Sequence, residues 1–363
     1  MVSSLGLDAV TGCAAARAGL VRPTSRADFM VQAGDTDEAV PLQVCAVPTI
    51  SDGFTGLGRL LRLGTAALSD LQHRMTLGEG QPTGLLVNLP SGDLHTAWEQ
   101  QCEEAAGRDY TIDGRYEMAL RREEMANRVV PGLVRLTGIE VDEEHRAVVF
   151  GDQAGFASLL LQAAGWLAAG RIRQCLVGGI GSYLDRYLLE ALHGLRMLKV
   201  PSQPDGLIPG EGAAFLLVKL SDTHSDAGHS YPTVGAVALA AEPQDRFSGD
   251  PPRGRGLAQA VTAVLDVSSI PDVLVGDLNG EASRASDWGH AFPALIGDHP
   301  ALQYCPSWYP AASFGDTGAA AGPIGACFAL HLLLRSRFTG RALLSLSTDS
   351  GTRSAVTIYT AST

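Results

Sequence analysis

Two neighbouring segments of the chain decide its fold: Cys175-Leu-Val-Gly-Gly-Ile-Gly-Ser-Tyr and, shortly after it, Pro204-Asp-Gly-Leu-Ile-Pro-Gly-Glu-Gly-Ala-Ala-Phe-Leu-Leu. The apolar run that begins at Gln174 predicts a short buried strand, and Ala213 to Leu220 predicts a second one. Residues Tyr183 to Leu198, between them, predict a helix. Short apolar strands that alternate with helices are typical of layered α/β proteins.

The same alternation extends in both directions from these segments. The helix predicted from Gln153 to Ala169 is apolar almost all round, so it must lie inside the molecule. Further strands are predicted at Gly84–Asn88, Arg146–Phe150, Thr233–Ala240, Asp272–Gly276, Arg341–Ser347 and Ala355–Tyr359. Further helices are predicted at Asp8–Ala18, Gly56–His73, Ile112–Leu136 with an interruption at Pro131, Gly256–Ser268 and Gly318–Arg335.

The order of elements suggests two related halves. A strand, a Gly-Asp turn and an Ala-rich helix occur twice, at Gly151-Asp-Gln-Ala-Gly and at Gly315-Asp-Thr-Gly-Ala. The polar stretch from Ser221 to Ser230 is the best candidate for a boundary. We therefore predict an N-terminal half over residues 1–222 and a C-terminal half over residues 231–363.

Composition excludes several classes of protein. The 363 residues are 45% hydrophobic and 18% charged, which favours a large core over a disordered chain. The formal net charge of -12 argues against a nucleic-acid ligand. Six scattered cysteines without a CxxC pair, and no His at ligand spacing, predict reduced thiols, no metal and no cofactor. The start carries no basic leader and no run of about 18 apolar residues occurs, so we expect no membrane span and a cytoplasmic location.

The two deciding segments resemble the β-ketoacyl synthases of the thiolase superfamily. In that family a Val-Gly-Gly strand end is followed, at this distance, by an Asp-Gly-Phe-x-x-Gly-Glu-Gly-Ala-Gly segment. The resemblance continues through Ala311-Ala-Ser-Phe-Gly-Asp-Thr-Gly-Ala-Ala-Ala-Gly and Ser350-Gly-Thr-Arg-Ser-Ala-Val-Thr-Ile. It implies a thiolase fold, with duplicated βαβαβ halves in five α-β-α-β-α layers, and dimerisation near the strand Arg146–Phe150. Only Met1 to Leu7 precede the first helix, so the family's first strand is shortened here or lies upstream of this start.

The family uses a Cys nucleophile at the start of the buried helix and two His that stabilise an enolate. The resemblance places these three positions on Gln153, Asn279 and Asp316. A Gln amide cannot accept an acyl group as a nucleophile, and Asn cannot exchange a proton near neutral pH. An ionised Asp316 would repel an enolate. Ordinary decarboxylative condensation is therefore expected to be absent, and Gln153 is either a residual catalytic group or a helix N1 residue that fills the pocket with hydrogen bonds.

Other site residues have structural alternatives. Asp152 and Asp316 each precede a helix, where a carboxylate can cap backbone N–H groups. Glu211 is expected to be a structural carboxylate, while Asn279 and Glu281 suit a turn beside Gly280 as well as they suit a ligand. The resemblance implies that a substrate-binding surface includes Phe156, Asp349, Ser350 and Gly351. Arg284 and Trp288 could stack or pair at the pocket mouth.

Within the superfamily, Gln at the nucleophile position is carried by chain-length-factor subunits and by loading-type decarboxylating ketosynthases, and the latter keep both His. The preferred function is thus a ketosynthase-like subunit of fatty-acid or polyketide-type biosynthesis that cannot condense and acts as a chain-length-factor-like partner. One alternative is an acyltransferase of the 3-oxoacyl-carrier synthase type, or a malonyl decarboxylase, that uses the Gln/Asn/Asp set. Another is a homodimeric scaffold that binds acyl thioesters. Expected partners are an acyl carrier protein or acyl-CoA, and a second copy or an active ketosynthase.

Overall fold

The computed structural model describes residues 1–34, 38–75, 80–107, 112–221, 231–265, 270–335 and 340–360. Its helices are α1 (Ala9–Arg17), α2 (Pro48–Ser51), α3 (Gly56–Arg74), α4 (Asp93–Ala105), α5 (Ile112–Thr137), α6 (Gly155–Ala168), α7 (Arg186–Gly194), α8 (Arg255–Val264), α9 (Ala282–Asp298), α10 (Ala311–Phe314) and α11 (Ala321–Arg335). Its strands are β1 (Thr24–Gln32), β2 (Ala39–Val44), β3 (Thr83–Leu89), β4 (Arg146–Phe150), β5 (Gln174–Ser182), β6 (Glu211–Lys219), β7 (Thr233–Ala241), β8 (Val273–Val275), β9 (Ser307–Trp308), β10 (Arg341–Ser347) and β11 (Thr352–Tyr359).

Two mixed sheets carry the fold. The first has the order β4-β3-β5-β6, with β6 antiparallel to β5 and the other pairs parallel. The second has the order β9-β8-β10-β11-β7, in which β11 is antiparallel to both of its neighbours. In the first sheet the place that corresponds to β7 is taken by Val2, whose N–H and C=O pair with Ala213 at 2.8 and 3.1 Å. The two sheets therefore share one topology, and the first strand of the first sheet is reduced to a single bridge.

Helices fill the space between the sheets and cover both outer faces. The α6 and α11 helices lie in the middle, where they share one apolar core with residues of both sheets. The α3 and α5 helices cover the first sheet, and α8 and α9 cover the second. This is the predicted five-layer α-β-α-β-α arrangement. A two-stranded sheet of β1 and β2 packs with α7 as a separate apolar cluster.

Several predicted boundaries need correction. The α5 helix runs through Pro131 without interruption, because Val129, Val130 and Leu133 are buried against the first sheet and hold the helix in place. A 3-10 turn over Asp152–Ala154 precedes α6, so the α-helix starts at Gly155 instead of Gln153. The α6 helix is also not wholly internal, since Leu161 is 45% exposed. The predicted boundary at Ser221–Ser230 falls, apart from its first residue, outside the described residues.

One central helix has the length and apolar composition that a membrane span requires. This is the segment Gly318–Arg335, which includes α11, and 72% of it is buried inside the protein. Its apolar surface is covered by both sheets and by α6.

Candidate functional site

Two tight turns meet between the sheets and form the base of the site. The turn Asp152–Ala154 leads into α6, and the turn Gly318–Ala320 leads into α11. Asn88, at the end of β3, joins them: its Nδ2 donates to the carbonyl oxygens of Asp152 and of Ala319, the latter at 2.9 Å. A Cβ on Gly155 would lie 2.2 Å from Asn88 Oδ1, so the close approach requires glycine there. Asn88 was not predicted as a site residue, although a polar residue near the end of an apolar strand is a pattern that could have indicated one.

The structure brings together the three positions that the resemblance selected. Gln153 is buried, and its Nε2 donates to Asp316 Oδ1 at 3.3 Å and to Tyr183 Oη at 3.3 Å. Asn279 Nδ2 donates to Asp316 Oδ2 at 2.7 Å. Two amides thus hold one carboxylate at the three positions that the resemblance selected.

Asp316 also acts as the predicted cap. Its Oδ1 accepts a hydrogen bond from the N–H of Gly318 at 2.8 Å, at the turn before α11. Asn279 has the expected turn role, since its Oδ1 accepts from the N–H of Glu281 at 3.1 Å across Gly280, which has a φ of 102°.

Asp152 does not cap α6, contrary to the prediction. Its carboxylate accepts hydrogen bonds from the N–H of Ser91 at 2.9 Å and from the Ser91 hydroxyl. The reason is the backbone of Asp152, which has a φ of 41°, in the left-handed region that turns the side chain away from the helix axis. Asp152 therefore ties the turn to the loop after β3. Its role is structural, as predicted, but its partner is different.

Behind Asp316 lies a group of carboxylates around one buried guanidinium. Arg284 Nη1 is 2.8 Å from Asp277 Oδ2, Arg284 Nη2 is 3.5 Å from Asp349 Oδ1, and Arg284 Nε is 3.7 Å from Glu281 Oε2. Arg246, from the segment after β7, lies 2.8 Å from Glu281 Oε1. The predicted Arg284–Trp288 contact is replaced by these ion pairs, and Trp288 stacks on Phe292 instead at 5.1 Å.

Burial shifts the protonation of these carboxyl groups. Desolvation raises the pKa of Asp277 to about 6, although the neighbouring Arg284 charge opposes the shift. Desolvation, followed by the Asp349 charge, raises the pKa of Glu281 to about 7. Desolvation also raises the pKa of Asp152 to about 6. Near pH 7, protonation therefore neutralises only part of the negative charge that these carboxyl groups bring to the site.

Glu211 lies at the centre of a buried network of hydrogen bonds. The side chain is fully buried, and Arg59 Nε lies 2.6 Å from its Oε2. It also accepts hydrogen bonds from the N–H of Val47 at 2.8 Å and from the hydroxyls of Ser51 and Ser182 at 2.5 and 3.0 Å. All of its acceptor capacity is directed to α2, α3 and β5, so none is left for a substrate.

The four residues predicted to bind substrate lie at two separate places, since Phe156 is apart from the other three. Phe156 packs in the core between the sheets, against Gly322 of α11. Asp349, Ser350 and Gly351 form the turn between β10 and β11, where Asp349 faces Arg284 and Ser350 is exposed. Gly351 has a φ of 92°, and its carbonyl accepts from the N–H of Glu242 at 2.7 Å. Only Asp349 belongs to the charged group behind Asp316.

A small cavity lies beside Gln153. Its polar wall includes Gln153, Asp277, Asp316 and Thr317, and its apolar wall includes Phe314, Ile324, Leu344 and Leu346. The enclosed volume is about 20 Å³, which is room for about one water molecule. An acyl chain does not fit in this space.

The chemistry open to the site is limited by these residues. Neither Cys nor His occurs among the residues that line the cavity. Elsewhere, burial raises the pKa of Cys45 to about 11 and that of Cys175 to about 12, so these thiols stay protonated near neutral pH. Across the described part of the chain, no three His, Cys, Asp or Glu side chains are grouped so that they could hold a metal ion.

Solved structures share this fold over nearly the whole chain. A chain of the ishigamide ketosynthase/chain length factor is 18% identical with a TM-score of 0.64, and the match covers 99% of this chain and 97% of that one. A ketosynthase in complex with its chain length factor from Xenorhabdus doucetiae gives 12% identity, a TM-score of 0.63 and coverages of 99% and 96%. A β-ketoacyl synthase from Burkholderia phymatum STM815 is 15% identical with a TM-score of 0.65, and the match covers 99% of this chain and 97% of that one. No protein-family model and no curated protein matches the sequence. At these identities the likeness confirms the predicted thiolase fold of ketosynthases and chain length factors.

Proposed function

We propose that this protein is a ketosynthase-like subunit of fatty-acid or polyketide-type biosynthesis that does not itself condense acyl groups. Its role is that of a chain-length-factor-like partner of an active ketosynthase, in the cytoplasm. The observation that carries the proposal is the Gln153–Asp316–Asn279 hydrogen-bonded set at the positions of the family's thiol and imidazoles.

The electrostatics of the site support the absence of condensation. Decarboxylation of a malonyl group produces an enolate, which needs hydrogen-bond donors or positive charge around the developing oxyanion. The Gln153 side chain contacts the Asp316 carboxylate and the Tyr183 hydroxyl, and the Gln153 and Asn279 amide donors already serve that carboxylate. An enolate at this point would meet like charge in a desolvated site. The same reasoning disfavours the malonyl decarboxylase alternative.

Two surfaces suit the proposed partners. The strand β4 forms an edge of the first sheet, and its apolar residues are half-buried, so a second subunit could extend the sheet there. A surface groove of about 480 Å³ lies beside Arg246 and Phe247, next to the carboxylate group. We propose β4 for the ketosynthase partner and this groove for the arm of an acyl carrier protein.

The proposal is tested by comparing the protein alone with the protein in complex. Incubated alone with a malonyl-loaded carrier protein, it should release no carbon dioxide above a blank, and intact-mass spectrometry should show no acyl adduct. Co-expressed with a ketosynthase that has the Cys-His-His set, it should co-purify and change the length of the products. Turnover by the protein alone that is lost in Gln153→Ala, but kept in the buried control Gln174→Ala, would overturn the non-catalytic assignment.

A further inference from the structure

The small cavity contains a buried acceptor that has no donor. Gln153 is 1% exposed and lines the cavity, and its Nε2 is fully used by Asp316 and Tyr183. Its Oε1 is buried and accepts no hydrogen bond. A buried carbonyl oxygen of this kind costs free energy unless a donor reaches it. The cavity of about 20 Å³ lies beside it, so a donor of about the size of one water molecule fits there.

The charge around the cavity is unbalanced. Two guanidinium groups, Arg246 and Arg284, form ion pairs with three carboxylates, Asp277, Glu281 and Asp349, and Asp316 is a fourth carboxylate beside them. Among the residues that the structure describes, no cationic group lies within ion-pair distance of Asp316. Its hydrogen-bond donors are the neutral groups Gln153 Nε2, Asn279 Nδ2 and the N–H of Gly318. A desolvated carboxylate without a countercharge favours a cation over a neutral molecule in the adjacent space.

The walls of the cavity select among cations. Multivalent metal ions of the Ca²⁺ and Mg²⁺ type need six or more oxygen ligands. Here one side is apolar, through Phe314, Ile324, Leu344 and Leu346, so a full oxygen shell is not available. An ion that donates hydrogen bonds needs only a few acceptors on one side, and Gln153, Asp277 and Asp316 supply them.

From these contacts we propose that the cavity binds a single ammonium ion, which donates hydrogen bonds to Gln153 Oε1 and to the carboxylates of Asp277 and Asp316. The ion supplies the donor that Gln153 lacks and the positive charge that Asp316 lacks. Its binding is independent of the proposed biosynthetic function, and its absence would leave that function untouched.

The test is thermal unfolding of the full-length protein at pH 7 in ammonium, potassium or tetramethylammonium chloride at one ionic strength. A ligand that binds only the folded state raises Tm in a saturable way. We expect ammonium chloride to raise Tm by about 1 °C or more relative to the other two salts. Equal Tm values in all three salts would show that the cavity holds water only, and an equal rise in potassium would show that donated hydrogen bonds do not select the ion. Either result overturns the proposal.

Substitutions at residues that line the cavity test whether the rise of Tm in ammonium chloride arises there. Gln153→Met removes the acceptor and Asp316→Asn removes the charge, so each should abolish the difference between ammonium and potassium. The matched control is Gln174→Met, because Gln174 is also fully buried with an unpartnered Oε1 but does not line the cavity. An ammonium effect that persists in both cavity variants, or that disappears in the control, contradicts the assignment.

Discussion

Restoring the family's thiol at the nucleophile position should not restore its reactivity. In the Gln153→Cys variant the new sulfur sits in the turn before α6, where a helix N-terminus favours a thiolate by about 0.3–1 kcal/mol. It also faces Asp316, which lies 3.3 Å from Nε2 of the longer Gln153 side chain. The two effects act in opposite directions, and their sizes decide the outcome.

The carboxylate has the larger effect. A sulfur closer to the backbone than Nε2 would be about 5 Å from Asp316, and two like charges at that distance repel by about 3 kcal/mol at an effective dielectric constant of about 20. This repulsion corresponds to a rise of about 2 pKa units, and the helix offsets less than about 1 unit of it. Relative to a free thiol with a pKa of about 8.5, the ionised fraction at about pH 8 should fall roughly 15- to 50-fold.

The assay is the rate of iodoacetamide alkylation at the introduced thiol, followed by mass spectrometry with the exposed Cys102 as an internal reference. We expect the introduced thiol to react at least about tenfold more slowly than Cys102. Adding Asp316→Asn removes the charge while keeping nearly the same shape, so it should recover most of that factor. If the single variant reacts as fast as Cys102, or if Asp316→Asn changes nothing, then the carboxylate does not control this position and the electrostatic reasoning is wrong.

Three further predictions concern stability. Glu211→Gln leaves the buried donors around Glu211 facing an amide instead of a carboxylate, so it should lower the free energy of unfolding in urea by about 3–5 kcal/mol. The control Glu190→Gln changes an exposed ion pair on a helix and should change this free energy by less than about 0.5 kcal/mol. Since burial raises the pKa of Glu281 to about 7, its contribution to stability is present at low pH and is lost as the pH rises from about 5 to about 7. The urea midpoint should therefore fall over this range, and less steeply in Glu281→Gln. Gly155→Ala should cost about 1–3 kcal/mol through overpacking, while Gly165→Ala, in open space on the same helix, should gain up to about 1 kcal/mol. Equal effects of the two glycine substitutions would contradict the close approach at Gly155.

Local patterns were sufficient where a segment is both apolar and short. The strands Arg146–Phe150 and Arg341–Ser347 were predicted residue for residue, because each has a short, mostly apolar run after its first Arg. The hairpin of β1 and β2 was missed since polar residues interrupt β1 and Pro41 interrupts β2, and its buried residues are Phe29, Val31, Leu42 and Val44. The α9 helix was missed because Gly289 and Pro293 interrupt its pattern, while burial of Ala291 and Leu295 stabilises it.

The site was predictable only as far as the resemblance reached. Gln153, Asn279 and Asp316 are far apart in the chain, and their convergence followed from motif positions that no local pattern supplies. The partners of Asp152 and Arg284 could not be predicted, because each depends on a contact between segments that the fold brings together. The positive φ of Asp152 could not be predicted either, since Asp tolerates that conformation without requiring it.

The three replaced positions behave as one unit, and this bears on what the site is for. Asp316 alone would be a buried carboxylate with one backbone donor, and the amides of Gln153 and Asn279 supply the others. A Cys at position 153 would withdraw the amide donor of Gln153 and leave the carboxylate with one hydrogen bond fewer, at a cost of about 1–3 kcal/mol. The amides of Gln153 and Asn279 are thus matched to the Asp316 carboxylate, and an exchange at position 153 disturbs the other members of the set. This mutual stabilisation supports our proposal that the site persists without condensation chemistry, as a structural partner of an active ketosynthase would require.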